Sequence, residues 1–492
     1  MVYHPSSLFN YFYLYNFLNP DIYTMSLNDV YNFSDLAPLD TKNDPVEYRK
    51  FYDQASGFTA NNAPVQNHFT FRISDINSLW LLHRAYLQVQ FDVDNGGSNE
   101  RATFANGLGH LFERVILRLG DTIIEDKPRH AFRDYEVDSM TWSKQYAETV
   151  GSMMLYHPED LGSSKWAGIN KSRAVHYVPG GTTATITPDA FDVAMTPESY
   201  NRTLTDQNPS YAMIPLYHLF NFPKVYQKVI RGMDVEIELY TTGDNVRLIR
   251  SAVQSNGLAA GTSPGAADVA LKWSGAGITL HIPRIKPNAR EEGMFNAQLA
   301  KGFNVPVEFE KSIVYRENIP TGRADGEWSV TTNTSTPTRL YLFLTEQTSE
   351  TSQLVGARQR NLLLQRLDVY INGEKTPTEQ LEAEGAGGSS ILQRNFTQYM
   401  RMWQNAQNNF DGVYDGAAGG SHMNHLTFDL NNVIAIDLKQ TDKPLIDKSS
   451  DIRVSYRFDA AAPTAHWLYG VLFSKSRVDL EMSEGRSQAL VR

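Results

Sequence analysis

The chain has 492 residues and a formal net charge of −10, with 41% hydrophobic and 20% charged residues. This length suggests about two to four domains, and the composition excludes a disordered scaffold. The acidic balance, with no run of five or more basic residues, disfavours a protein that coats nucleic acid, and the absence of cysteine excludes disulfides, thiolate metal sites and a cysteine nucleophile.

The chain begins with an aromatic-rich stretch. Its first Lys or Arg is Lys42, so the basic region of a secretory signal peptide is missing. The broken apolar run at residues 7–18 is shorter than the roughly 20 residues that a membrane-spanning helix needs. We predict an N-terminal arm at residues 1–64. Three interpretations of its start remain open: translation from Met25, docking on a neighbour, or contact with a membrane surface.

Alternating apolar residues recur along most of the chain, which is the pattern of half-buried strands. The clearest runs lie at residues 69–73, 86–93, 235–239, 278–285, 340–344, 452–458 and 467–473. Helical periodicity is confined to residues 131–150, 289–301 and 392–406. The sequence therefore predicts an all-β fold in which short helices connect strands.

Long polar stretches separate the predicted strands. They are rich in Gly, Ala, Ser and Asn and lie at residues 162–211, 241–277, 385–390 and 412–421. Connections of this length are uncommon inside compact domains and usually serve a purpose at the surface. We interpret them as excursions from a scaffold of strands.

The segment RVILRLGDTII at residues 114–124 resembles RLDVYINGEK at residues 366–375. When Arg114 is aligned with Arg366 without a gap, the apolar positions of both segments alternate in phase. Gly120-Asp121 then falls on Asn372-Gly373, and both dipeptides suit a two-residue hairpin turn with positive φ angles. The two segments predict equivalent hairpins in two copies of one unit.

Further matched features follow in the same order. The sequence FRDY at residues 132–135 with Trp142 is matched by FTQY at residues 396–399 with Trp403. DVEI at residues 234–237 is matched by DIRV at residues 451–454, and each half closes on an apolar strand. The chain therefore reads as two copies of a two-sheet sandwich of the jelly-roll kind, rather than a propeller. Two unrelated sandwiches in tandem are the alternative.

These features divide the chain into five parts. We predict an arm at residues 1–64, a first jelly roll at 65–288, a linker helix at 289–302, a second jelly roll at 303–482 and a tail at 483–492.

The turn LRLGD, the segment YRENIP at residues 315–320 and the strand DVYINGE at residues 368–374 resemble the double jelly-roll major capsid proteins of the PRD1 and adenovirus lineage. The likeness is greatest to those of Polinton-like viruses, virophages and adintovirus-type elements, and it extends over roughly residues 67–482. It implies two tandem eight-stranded jelly rolls and a structural capsid subunit of an icosahedral double-stranded DNA virus or virus-like element. It also implies a homotrimer with a pseudo-hexagonal outline.

The resemblance further implies where the protein acts and with what. It places the chain in the capsid of the virion, synthesised and assembled inside the host cell. Its expected partners are neighbouring capsomers, minor and penton capsid proteins and, through the surface loops, a host receptor, without direct sequence-specific binding of nucleic acid. The stretches at 162–211 and 241–277 would form an outward turret, and the two tails would face inward or grip neighbouring capsomers.

The sequence contains no Walker A or HExxH motif. GLGHLF at Gly107 lacks the third glycine of a dinucleotide loop and precedes a predicted strand, which favours a turn. DVDNGG at residues 92–97 opens like a calcium loop but lacks the bidentate glutamate, which favours a hairpin tip.

Three pairs of side chains remain as candidates for a catalytic or metal site. Glu308 and Glu310 alternate along a predicted strand and Glu291-Glu292 are adjacent on a predicted helix, which favours solvated side chains over glycosidase carboxylates. His422 and His425 lie in a Gly/Ala-rich stretch without a nearby third metal ligand. We therefore predict no catalytic, cofactor or metal site and no enzymatic activity.

Alternative functions stay open at this point. A carbohydrate-binding, lectin-like jelly-roll protein would need an exposed aromatic platform or a calcium site, and a glycoside hydrolase or lyase would need an essential carboxylate. A minor or penton capsid protein is disfavoured because such proteins usually resemble one lobe.

Overall fold

The structure is a computed structural model in which two β-sandwich lobes follow each other along the chain. It describes residues 46–54, 68–75, 77–94, 102–104, 107–154, 174–175, 210–242, 249–251, 270–287, 289–347, 364–375, 381–382, 433–438, 449–458, 461–462, 464–482 and 487–491.

Two antiparallel sheets form the first lobe. Its strands are β1 (Val46–Tyr52), β2 (His68–Ile73), β3 (Leu79–Trp80), β4 (Tyr86–Asp94), β5 (Ala102–Phe104), β6 (Phe112–Leu119), β7 (Thr122–Lys127), β8 (Ala174–Val175), β9 (Ser210–Pro215), β10 (Val235–Thr241), β11 (Ile249–Ser251) and β12 (Ala270–Ile285). One sheet has the order β1-β12-β4-β9, with β3 beside β12, and the other has the order β2-β10-β6-β7. The short strands β11, β5 and β8 form a small separate sheet.

The second lobe has the same plan. Its strands are β13 (Phe303–Ile319), β14 (Asp325–Ser335), β15 (Pro337–Glu346), β16 (Leu364–Ile371), β17 (Glu374–Lys375), β18 (Leu381–Glu382), β19 (Ile434–Asp437), β20 (Ser449–Phe458), β21 (His466–Met482) and β22 (Gln488–Val491). Its sheets have the orders β13-β21-β15-β19 and β14-β20-β16-β17, with β22 beside β21 and β18 beside β16.

Strand order and register confirm the predicted internal duplication. Each four-strand path of the first lobe has a counterpart of identical chain order in the second. In the first lobe Ile237 pairs with Leu117, and in the second Val454 pairs with Val369, as the gapless alignment predicts. A one-residue slip would turn every apolar side chain to the other face, so this shared register preserves both cores.

The two hairpin turns are also equivalent. The N–H of Gly120 donates to the carbonyl of Asp234 at 2.8 Å, and the N–H of Asn372 donates to the carbonyl of Asp451 at 2.9 Å. Gly120, Asn372 and Gly373 have positive φ angles of 59°, 51° and 83°. Asp121 does not share this conformation, so the first turn needs only one left-handed residue and the second needs two.

Each core lies between the two sheets of its lobe. The alternation of β10 puts Val235, Ile237 and Leu239 inside the first lobe, where Phe69 meets Trp273 edge to face with ring centroids 5.2 Å apart. The inner face of the second lobe is lined by Leu342 and other aliphatic side chains. These faces remove apolar surface from water, which is the main stabilising contribution.

A long two-stranded ribbon joins the lobes. β13 and β21 pair without interruption from Phe303 opposite Met482 to Ile319 opposite His466. Ile319 belongs to the second core, whereas Phe309 and Leu480, near the other end, are buried in the first. The lobes therefore share two continuous strands.

Helices occur where the chain leaves the sheets. They are α1 (Ala131–Met140), α2 (Lys144–Met153), α3 (Phe222–Val225) and α4 (Ala289–Lys301), and 3-10 turns lie at Leu82–Arg84, Leu108–Leu111 and Leu216–His218. The predicted helix at 289–301 agrees with α4, but the one at 131–150 is two helices. Thr141 caps the first, and the Ser143 hydroxyl accepts the Tyr146 N–H at the start of the second. The predicted helix at 392–406 lies outside the described residues.

Two predicted tails contain strands. β1 lies within the predicted arm and pairs with β12 at the edge of the first sheet. β22 lies within the predicted tail and pairs with β21. The ends of the stretches at 162–211 and 241–277 also belong to strands, β9, β10 and β12. The short strands β8 and β11 lie inside the two stretches, and most of the remaining residues of the predicted turret lie outside the described residues.

Candidate functional site at the junction of the lobes

Helix α1 lies between the two lobes. It follows β7 in the first lobe, and its Val137 and Met140 pack against the outer face of the β13-β21-β15-β19 sheet of the second lobe. On this sheet Phe343 pairs with Tyr469, and the side chains that alternate with them point into the second core. The sheet is therefore buried on both faces.

A buried arginine fastens this helix to the second lobe. The side chain of Arg133 has no exposed surface, and its guanidinium lies 4.4 Å from the ring centre of Tyr469 and 5.5 Å from that of Phe343. Its Nη1 donates to Glu136 Oε2 at 2.6 Å, one turn further along α1. A buried charge is tolerated only when it is paired, and the two rings add cation–π attraction.

A second buried ion pair lies beside it. Lys127, the last residue of β7, contacts the carboxylate of Asp134, and both side chains are almost fully buried. Glu125, two residues earlier, accepts the backbone N–H groups of Asn221 and Phe222 at 3.0 and 2.8 Å. These contacts hold α3 and α1 against the same strand.

Burial and neighbouring charges shift the pKa values of these groups. Burial raises the pKa of Glu125, against the Lys127 charge and the two backbone N–H donors. Burial alone would lower the pKa of Lys127, but the carboxylates of Asp134 and Glu125 outweigh it and raise that pKa. Lys127 therefore stays charged at neutral pH.

Asp138, His218 and Tyr146 form a chain of hydrogen bonds that resembles a hydrolase triad. His218 Nδ1 lies 3.1 Å from Asp138 Oδ2, and His218 Nε2 lies 2.8 Å from the hydroxyl of Tyr146. Lys224 Nζ donates to the other oxygen of Asp138 at 2.8 Å. The chain joins α1, α2, α3 and the 3-10 turn after β9.

The surroundings of this hydrogen-bond network do not suit catalysis. Burial lowers the pKa of His218 and raises that of Tyr146 well above its usual value, so the hydroxyl is a poor nucleophile. Burial alone would raise the pKa of Asp138, but Lys224 and the hydrogen bond from His218 hold it well below its usual range. With His218 and Tyr146 both buried, the chain of hydrogen bonds stabilises the junction.

The residues that the sequence analysis considered for a catalytic, metal or nucleotide site lie on different elements. Glu308 is exposed, and Glu310 is half-buried and pairs with Arg339. Glu292 is exposed on α4. Gly107, with φ 85°, precedes a 3-10 turn that leads into β6, so the GLGHLF segment is a turn. His422, His425 and the loop after Asp94 lie outside the described residues.

Within the described ranges, no three His, Asp or Glu side chains are grouped so that they could hold a metal ion. Among the same residues, no helix combines the length and the apolar character needed to cross a bilayer.

The C-terminal strand reinforces the junction. Ala489 of β22 is buried in the first core, and its carbonyl accepts the hydroxyl of Thr122 of β7 at 2.7 Å. Gly232 adopts φ 79°, and a Cβ there would lie 2.5 Å from the hydroxyl oxygen of Ser487. A glycine is required at this close approach.

Sequence reasoning did not identify the charged residues of the junction. The periodicity of residues 131–150 predicts a helix, but charged residues such as Arg133 and Asp134 suggest a solvated face, whereas both are buried and paired in the structure. The available signal was the match between FRDY and FTQY, which marked α1 as part of the repeated unit.

Solved structures share this architecture. The mavirus major capsid protein matches with a TM-score of 0.52 at 10% identity, over 90% of this chain and 90% of that chain. A chain of the Sputnik virophage structure matches with a TM-score of 0.53 at 10% identity, over 91% of this chain and 88% of that one. The chain has the double jelly-roll fold. No family model and no curated protein matches its sequence.

Proposed function

We propose that this double jelly-roll chain is the major capsid protein of an icosahedral double-stranded DNA virus or virus-like element. The observation that carries the proposal is the fold itself, two lobes of identical strand order matched over 90% of this chain to the mavirus major capsid protein. The chain acts as a structural subunit of the virion capsid, assembled inside the host cell, and it needs no cofactor.

The duplication has a geometric use. Three copies of a two-lobed chain present six similar edges, so a homotrimer tiles a near-sixfold lattice. The trimer contacts neighbouring capsomers and minor and penton proteins, and the loops at the lobe ends are available to a host receptor. A Polinton-like or virophage-like source stays a prediction from the sequence motifs.

The described strands suggest revised lobe boundaries. We place the start of the first jelly roll at β1 rather than at residue 65, because β1 completes the edge of its sheet. The second jelly roll extends from β13 to β22 rather than ending at residue 482, because β22 hydrogen bonds with β21. The linker helix is α4.

The oligomeric state of the purified chain tests the function. Light scattering after size exclusion should give the mass of a trimer at micromolar protein concentration, and negative-stain electron microscopy should show pseudo-hexagonal capsomers or shells. A chain that remains monomeric and forms neither would contradict the proposal. A glycan array should show no binding, whereas specific binding would favour the lectin-like alternative.

A further inference from the structure

One sheet of the first lobe carries an exposed aromatic outer face. On the β1-β12-β4-β9 sheet, the exposed fractions of Tyr48, Tyr52, Tyr211 and Met213 are 49%, 60%, 45% and 36%. The register puts Tyr52 opposite Thr279, Thr279 opposite Gln88 and Gln88 opposite Met213, so these side chains share a face. We call it the tyrosine face.

The centre of the tyrosine face is preorganised. The rings of Tyr86 and His281 stack in parallel with centroids 4.8 Å apart, and Tyr48 packs on Tyr86 at 5.7 Å. His281 Nε2 lies 3.0 Å from Gln88 Oε1. Rigid, partly polar aromatic side chains are enriched in protein interfaces because ordering them costs little entropy.

The equivalent face in the second lobe is covered. On the β13-β21-β15-β19 sheet, the outer side chains of Tyr341, Phe343 and Tyr469 are at most 2% exposed, because α1 lies on them. α1 belongs to the connection between β7 and β9 of the first lobe. By strand order, the equivalent connection of the second lobe runs from β17 to β19 and contains residues 383–432.

The other outer faces differ in chemistry. The β2-β10-β6-β7 sheet carries ion pairs among its own strands, including Arg72 with Asp234 and Arg118 with Glu238. The outer face of the β14-β20-β16-β17 sheet likewise pairs Arg453 with Asp451. Such surfaces satisfy their charges without a partner, whereas an exposed cluster of tyrosines does not bury its rings unless something docks on it.

We propose that the tyrosine face binds a second copy of this chain through that copy's residues 383–432, and this inference rests on the proposed capsid function. The segment RNFTQYMRMW at residues 394–403 supplies the Arg, Met and aromatic side chains typical of interface cores. The contact repeats between chains what α1 does within one chain. A head-to-tail contact of this kind forms a closed ring when its rotation is threefold, and three chains then complete a ring of six lobes.

Photo-crosslinking identifies the occupant directly. A benzophenone amino acid replaces Tyr52 in an equal mixture of ¹⁵N-labelled and unlabelled chains that associate before irradiation. We expect crosslinks to peptides within residues 383–432, with half of them joining labelled to unlabelled chains. The matched control places the same group at Ile123, 41% exposed on β7 of the other sheet, and should not yield this crosslink.

Surface variants measure how much the tyrosine face contributes to the stability of the trimer. Tyr52→Asp combined with Tyr211→Asp should weaken the trimer by at least about tenfold in dissociation constant, whereas Ile123→Asp should not. The two benzophenone variants and the two aspartate variants should retain the wild-type circular dichroism spectrum, since the changed residues are exposed.

The outcomes separate the two proposals. The inference is overturned if the chain forms trimers but the benzophenone at position 52 crosslinks to the N-terminal arm, crosslinks only within one chain, or does not crosslink. The proposed capsid function would survive each of these results. A wild-type chain that stays monomeric and forms no shell would overturn both. If the aspartate variant fails to fold, the crosslinks from position 52 test the inference without it.

Discussion

The two lobes share their strand order and register, but the outer faces of two equivalent sheets, β1-β12-β4-β9 and β13-β21-β15-β19, have different surroundings. In the second lobe the β13-β21-β15-β19 sheet is buried on both faces, with Tyr469 and Phe343 under α1. In the first lobe the equivalent sheet leaves Tyr52 and Tyr211 exposed. The inner faces, which every sandwich needs, are therefore alike in the two lobes, whereas the outer faces differ according to what covers them.

The largest expected effect comes from the buried ion pair of Arg133 and Glu136 on the helix that covers this face of the second lobe. Arg133→Ala should lower the free energy of unfolding by about 3–5 kcal/mol, because the buried Glu136 carboxylate would lose the positive charge that lies 2.6 Å from it. Urea denaturation followed by circular dichroism measures the loss. Arg133→Met with Glu136→Leu removes both charges and should recover most of it. A loss below about 1 kcal/mol in the single variant would show that α1 does not depend on this pair.

Matched truncations compare the two cores. Leu119→Ala in β6 and Ile371→Ala in β16 occupy equivalent register positions, and each should cost about 2–5 kcal/mol because each leaves a buried cavity. The double variant should be additive within about 0.5 kcal/mol, since the sites lie in separate cores. Ile123→Ala, on the exposed side of β7, is the control and should change stability by less than about 0.5 kcal/mol. Strong non-additivity would indicate that the two sites are energetically coupled through the ribbon.

The junction should also make stability depend on pH. Burial lowers the pKa of His218 below its unfolded value of about 6.5, and Lys224 lowers it further against the opposing effect of Asp138. Below that pH the unfolded chain binds a proton that the folded chain does not. The free energy of unfolding should therefore fall as pH drops from about 7 towards 5, by up to about 1.4 kcal/mol per pH unit for this group.

His218→Gln should flatten that slope, as measured by urea denaturation at each pH. Burial also lowers the pKa of His83, so His83→Gln is the comparison that separates the two contributions. Asp138 does not contribute in this window, because its pKa is held well below its usual range and its stabilising effect is lost only in stronger acid. An unchanged slope in His218→Gln would show that His218 titrates alike in the folded and unfolded chains.

Much of the fold could be predicted because alternation is strongest where a strand has one buried face. DVEI and DIRV lie at equivalent places in the two lobes, where β10 pairs with β6 and β20 pairs with β16 in the same register, as the alignment predicted. β1 was assigned to the arm because VEYRKFY places Phe51 towards the core and Tyr48 and Tyr52 on the outer face, so its apolar residues do not alternate with polar ones. β22 has only four residues, too few for a period to be recognised.

The junction was harder to predict for a different reason. A helix between two lobes needs no polar face. Arg133 pairs with Glu136 one turn along α1, but the partner of Asp134 is Lys127 of β7, which is identified only in the folded chain. Local sequence shows the charges but not their burial. The same reasoning explains why the triad-like chain at His218 was missed, since its members come from residues 80 and 72 positions apart.

The smallest expected effect is at the turns, where the lobes should be interchangeable. Gly120→Asn should change stability by less than about 0.5 kcal/mol, because Asn372 adopts a similar φ at the equivalent place. Gly120→Val should cost about 1–2 kcal/mol. No atom lies within 4 Å of an added Cβ at Gly120, so the difference between the variants reports backbone conformation and not crowding. Urea midpoints at an unchanged denaturant slope provide the measurement. Equal losses in both variants would mean that the first turn demands glycine for a reason the second turn does not share, and the equivalence of the hairpins would then stop at their strands.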